Sequence, residues 1–201
     1  MNNFPQIRDI SVDDYILEIS NCLETKNYLS ALSVALMIPD ICRKIIGDKL
    51  SYQDWFNKYV FNKFYNIPKI EDIDENDESY ELYEIKLNGD VCYALRNSIL
   101  HSGTSHISFR KIGQKERAKI DRIELCVNGK SNFKNQYGES ISILRFDENK
   151  KVISIRINIV NLVINILNGY EIFKKENSNT HLFTLIDWDK KDGTIVFTPK
   201  E

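Results

Sequence analysis

The chain holds only three histidines, His101, His106 and His181, so proton transfer near neutral pH falls to very few positions. His101 closes the run Cys92-Tyr93-Ala94-Leu95-Arg96-Asn97-Ser98-Ile99-Leu100-His101-Ser102-Gly103, which also contributes Arg96 and the polar Asn97. These residue types suit one reaction in particular. Cleavage of RNA by its own 2′-hydroxyl needs a proton acceptor, a proton donor and charge stabilisation at phosphorus. A histidine serves as acid or base without a metal, and an arginine stays charged while offering a planar fork to phosphate oxygens. Other chemistries lack their usual supports. HExxH is missing, as are Gly-rich phosphate loops of the Walker or Rossmann type and GxSxG. Three separated histidines without a carboxylate pattern do not make a metal site, so neither metal nor cofactor is expected.

The segment reads as a helix beginning near Asn88, with Asp90 in its first turn and Gly103 as its stop. Val91, Cys92, Leu95 and Ile99 form its buried face. Positions 96 and 101 lie about 140° apart around a regular helix, so one helix does not aim both at a single phosphate unless it unwinds at His101. Asn97 and His101 are four apart and share a face, which lets Asn97 orient the imidazole or bind phosphate itself. A structural alternative pairs Arg96 with an acidic stretch and leaves His101 as a cation at a helix C-terminus.

The elements that must position this segment are helical on its N-terminal side. Asp13 to Lys26 repeats apolar residues at Tyr15, Ile16, Ile19, Cys22 and Leu23, with Asp13 as N-cap. Tyr28 to Ile46 is apolar on most sides, as a central bundle helix is, with a kink expected at Pro39 and an end at Gly47. After Ser51, Tyr52, Trp55, Phe56, Tyr59, Val60 and Phe64 make an aromatic stripe at helical period. Such a stripe stacks bases in some proteins, and forms core or dimer interface in more.

Beyond Gly103 the texture changes to short β-prone pieces at Ile107-Ile112, Arg122-Val127, Ser140-Phe146 and Val152-Ile157, with a hairpin around Asp147-Lys151. Asn158, Asn161, Asn165 and Asn168 then mark the polar face of a last helix reaching towards Lys174, with Gly169 a weak point. Leu182-Trp188 and Thr194-Thr198 close the chain as a hairpin around Asp192-Gly193.

Arg96, Asn97 and His101, placed near the end of a late bundle helix, resemble the motif of the HEPN superfamily. In those domains an arginine followed by a polar residue precedes a histidine by several positions. The Tyr28-Ile46 helix and the aromatic helix after it are also similar to the HEPN bundle. The resemblance covers residues 10 to 105 and the helix near 158 to 175. One departure is that Ser102 and Gly103 follow His101 where some toxin-type members place a tyrosine. The resemblance implies a metal-independent endoribonuclease, a toxin or antiphage defence effector, with Arg96, Asn97 and His101 catalytic. It implies a homodimer whose two motif helices line one composite groove, with RNA as substrate and an antitoxin or regulatory protein as a further partner.

Two other readings stand beside it: a non-catalytic module binding RNA, nucleotide or a protein, and a structural dimerisation domain.

Composition bounds the rest. With 42% hydrophobic and 28% charged residues the chain falls in the soluble globular class, and 201 residues suffice for a single domain. No apolar run is long enough to span a bilayer, and Met1 to Arg8 lacks the pattern of a signal peptide. A cytoplasmic protein without membrane contact is expected. Cys22, Cys42, Cys92 and Cys126 are widely spaced without a CxxC pair, as buried reduced thiols are. The net charge is only −2, but its distribution is uneven. Residues 71 to 84 are acidic, whereas Arg110, Lys111, Lys115, Arg117, Lys119 and Arg122 make a basic run; its first four members are the candidate RNA contacts. The expected fold is therefore α+β: a predominantly α-helical, HEPN-like bundle of about five helices spanning 1–201. A β-hairpin insertion occupies 107–157 and a C-terminal β-hairpin 180–201.

Overall fold

A computed structural model of the chain describes residues 6–65, 87–102, 122–127, 143–147, 150–177 and 181–187. Strand β1 (Gln6–Ser11) runs directly into helix α1 (Val12–Glu24). Ser11, rather than the expected Asp13, caps that helix. Its backbone is extended, and its N–H and hydroxyl donate to the Asp14 carboxylate at 2.8 and 3.2 Å, the reciprocal arrangement of a capping box. Asp13 is left in the first turn and reaches across the bundle. It accepts from Tyr170 Oη at 2.9 Å and from Lys174 Nζ at 2.7 Å.

The single kinked helix expected from Tyr28 to Ile46 is two helices, α2 (Tyr28–Ala35) and α3 (Ile38–Ile45). Pro39 occupies the first turn of α3, where its missing amide leaves no hydrogen bond unmade, so the chain breaks at Leu36 and Met37 instead of bending. Gly47 and Asp48 both adopt left-handed backbone (φ 67° and 57°), which ends α3 where the glycine signalled.

Ser51 opens α4 (Tyr52–Phe56) with a second capping box to Asp54. The helix continues through a π-helical turn (Asn57–Phe61) into α5 (Asn62–Phe64). Its aromatic stripe faces inward: Tyr52, Trp55, Phe56, Tyr59 and Val60 are all buried. Trp55, Tyr59 and Phe173 pack ring against ring with centroids 5.2 to 6.0 Å apart. Each fully buried side chain of this size contributes roughly 2–3 kcal/mol, so the stripe is core and not a platform for bases.

The C-terminal helix α7 (Ile159–Glu176) packs against α2, α3 and the π-helical turn. Asn158, itself buried, caps it by accepting from Val160 N at 3.0 Å and Asn161 N at 3.3 Å. Gly169, read from sequence as a weak point, is instead a point of closest approach. A Cβ there would stand 2.7 Å from Val60 Cγ2 and 3.0 Å from the Tyr59 carbonyl oxygen.

Among the described residues, two small sheets join the helices in an α+β fold. Strands β3 (Ile143–Asp147) and β4 (Lys150–Asn158) form the expected antiparallel hairpin, with Asp147 opposite Lys150. Strand β2 (Arg122–Cys126) joins the other edge of β4 in parallel. The last described strand, β5 (His181–Asp187), takes β1 as its antiparallel partner, from Gln6 opposite Asp187 to Ser11 opposite His181. The segments 107–112 and 194–198 lie outside the described residues, as do Gly103 and the acidic stretch 71–84. Among the described residues no helix is long and apolar enough to cross a membrane.

Candidate active site

Helix α6 (Gly89–Ser102) carries the Arg96, Asn97 and His101 side chains. Its start is fixed by Asn88, whose Oδ1 accepts from Asp90 N and Val91 N at 3.1 Å each, and by Gly89. The Gly89 N–H donates to Asn57 Oδ1 at 2.8 Å. The glycine lies so close to α4 that a Cβ would meet the Gln53 carbonyl oxygen at 2.4 Å. Val91, Cys92 and Leu95 are buried and Ile99 partly so, which turns Tyr93, Arg96 and Leu100 towards the boundary and His101 to the exterior.

The helix is unbroken through His101, yet Arg96 and His101 meet. Arg96 Nη1 lies 3.0 Å from Asn97 Oδ1 and 3.1 Å from His101 Nε2. The expectation that one helix keeps these two apart counted backbone angles and neglected the reach of a long arginine side chain. A guanidinium has only donors, so Nε2 is the atom that accepts in this contact. Asn97, 8% exposed, is held at both ends. Its Nδ2 donates to the Tyr93 carbonyl oxygen at 2.9 Å while its Oδ1 receives Arg96. Its hydrogen bonds therefore fix Arg96 and do not reach the imidazole.

Among the described residues the carboxylate that meets Arg96 is that of Asp40, in the first turn of α3; the acidic stretch considered from sequence lies outside them. Arg96 Nη2 stands 2.9 Å from Asp40 Oδ2, with the two side chains 21% and 25% exposed. The pair is an ion contact, not an aligned hydrogen bond, because Asp40 Oδ2 and Arg96 Nε both lack hydrogen-bond partners of good geometry. Asp40 also faces Arg43 Nε at 3.2 Å, Arg43 faces Asp48 at 3.7 Å, and Lys44 closes on Asp48 at 2.6 Å. Opposite charges thus alternate along α3 and end at Arg96. Below this row lie Tyr52 and Cys92, whose Oη and Sγ are 3.5 Å apart, with the Tyr93 ring 5.2 Å from that of Tyr52. Burial pushes the Tyr52 hydroxyl well above the phenol range. Cys92 and Asp40 push it further and Arg96 opposes them. Burial likewise pushes the Cys92 thiol up to about 12, so both remain neutral and take no part in proton transfer near pH 7.

Asp40 is the residue that sequence reasoning missed. Its signal was Pro39 itself: a proline that starts a helix, and does not kink one, puts the next residue in a first turn, where acids are favoured. The candidate RNA contacts Arg110, Lys111, Lys115 and Arg117 lie outside the described residues. Among the described residues no group of three or more His, Cys, Asp or Glu side chains is placed to hold a metal ion. No family model, no curated protein and no solved structure matches the chain.

Proposed function

We propose that this chain is a metal-independent endoribonuclease of HEPN type, working in the cytoplasm as a homodimer. The observation that supports the reading is the single Arg96 guanidinium held against both the buried Asn97 and the exposed His101 on one flank of α6. When the Arg96 guanidinium turns from the imidazole to the phosphate, the lone pair of His101 Nε2 is released and accepts the hydrogen of the ribose 2′-hydroxyl. The 2′ oxygen then attacks the adjacent phosphorus. The O2′–P bond forms, the P–O5′ bond breaks, and the products are a 2′,3′-cyclic phosphate and a 5′-hydroxyl. Arg96 stabilises the charge that gathers on the non-bridging oxygens. The departing 5′ oxygen needs a proton from a second acid, which is the role of the second motif in a dimer. The basic run at Arg110, Lys111, Lys115 and Arg117 supplies sequence-independent attraction for the RNA backbone. A toxin or antiphage effector held in check by an antitoxin or regulatory protein fits such an activity.

The test is incubation of the purified protein with RNA in excess EDTA, beside Arg96→Ala and His101→Ala. Cleavage that persists in EDTA and is lost in both variants is the expected result. The Asp40–Arg96 ion pair favours a second reading, in which Arg96 clamps α3 to α6 in a non-catalytic module. RNA binding or a stable dimer without any cleavage would select it.

A further inference from the structure

The three sequence-chosen residues leave one question open: what fixes the guanidinium so that Nη1 faces His101. Arg96 Nε is buried and has no hydrogen-bond partner, so it does not orient the group. Asn97 and His101 both contact the same nitrogen, Nη1, and the His101 ring is exposed, so these contacts hold only one corner of the guanidinium. Among the described residues the further contact is Asp40 Oδ2 on Nη2 at 2.9 Å. That contact comes from a different helix, and Asp40 is itself fixed by the break before α3 and by Arg43 at 3.2 Å.

We propose that Asp40 is a positioning residue for this site: its carboxylate locks the Arg96 guanidinium plane so that Nη1 is presented at His101, and offsets the arginine charge beside the imidazole. The proposal deepens the ribonuclease reading and takes its catalytic role from it, while its geometric half concerns only Asp40, Arg96 and His101.

Two consequences are measurable. Without the Asp40 charge, the guanidinium 3.1 Å from Nε2 stands unbalanced and the imidazolium becomes harder to form. Among the described residues, the charged and titratable groups around this cluster are Asp40 and Arg43 from α3, Arg96, Cys92 and Tyr93 from α6, and Tyr52 from α4. Of these, Asp40 and the two arginines carry charge near neutral pH. Asp40→Asn keeps shape and removes charge, and Asp40→Glu restores the charge. With three histidines in the chain, each imidazole can be followed separately by proton NMR, and assigned for His101 with His101→Ala.

Asp40→Asn is expected to move the His101 titration midpoint downward, and Asp40→Glu to bring it back towards wild type. RNA cleavage in EDTA is expected to fall about ten- to hundredfold in Asp40→Asn, the scale of a slightly misplaced catalytic group, and to recover in part in Asp40→Glu. A midpoint that moves while no form of the protein cleaves RNA upholds the positioning and overturns the ribonuclease. A midpoint unmoved in a folded Asp40→Asn protein, or an Asp40→Glu protein titrating like Asp40→Asn, overturns the positioning whatever the cleavage shows.

Discussion

Gly89→Ala probes the seat of the motif helix. The new Cβ would stand 2.4, 2.7 and 2.8 Å from the carbonyl oxygen, Cα and carbonyl carbon of Gln53, against an ordinary carbon contact of about 3.5–4.0 Å. All three atoms are backbone within α4, so no rotamer change relieves the overlap and α6 must move away from α4 by about 1 Å. Overpacking of this kind costs about 1–3 kcal/mol, with loss of the 2.8 Å bond from Gly89 N–H to Asn57 pushing towards the upper end. The lower unfolded-state entropy of alanine returns about 0.4–1 kcal/mol. The net is a loss of about 2 kcal/mol, which for a chain of this size lowers Tm by roughly 4–8 °C. Thermal unfolding followed by circular dichroism, wild type and variant at equal concentration, reads this directly. An unchanged or raised Tm would refute the close seating of α6 on α4.

Other outcomes follow from the same packing and charges. Gly169→Ala should destabilise by about 1–2 kcal/mol, and the double variant with Val60→Ala should lose less than the sum of the two singles, because the shortened side chain removes the 2.7 Å clash; denaturant midpoints give the cycle. Burial raises the thiols of Cys42 and Cys92, the latter to about 12 from 9.0. The folded state then keeps protons that the unfolded state releases, so this contribution is whole below pH 9 and is lost as pH climbs towards 12. Urea midpoints measured from pH 8 to 11 should fall, less so in Cys92→Ala relative to its own pH 8 value. Native-state alkylation should reach the partly exposed Cys22 and Cys126 well before Cys42 and Cys92. Lys174→Met, which breaks the half-exposed pair with Asp13, should cost under about 1 kcal/mol, and the loss should shrink in high salt.

Local pattern made the helices legible. The periodic apolar residues of α1, α4, α6 and α7 each marked a buried face, because in those helices the same side chains supply both period and core. Boundaries were legible where a cap is encoded nearby, as at Ser51, Asn88 and Gly47. The misreadings share a cause, which is tertiary contact. Gly169 looks like a breaker until Val60 and Tyr59 are placed against it. Pro39 looks like a kink until it is found in the first turn of a separate helix, where its missing amide leaves no bond unmade. The pairing of β5 with β1, at the other end of the chain, is one no local pattern encodes; the segment 194–198, expected to form a hairpin with β5, lies outside the described residues. At the site, sequence singled out Arg96, Asn97 and His101 by residue type and resemblance. It did not supply Asp40, which is distant in sequence and reaches Arg96 only through the packing of α3.

The central claim is that His101 and Arg96 cleave RNA without a metal. The most direct measurement is single-turnover cleavage of a labelled RNA in excess EDTA, with product ends analysed, by wild type and His101→Ala. The account predicts wild-type products ending in 2′,3′-cyclic phosphate and 5′-hydroxyl, and a rate about 10²–10⁴-fold lower in His101→Ala. A wild-type protein that leaves the RNA intact, or a folded His101→Ala protein that cleaves at the wild-type rate, would contradict it.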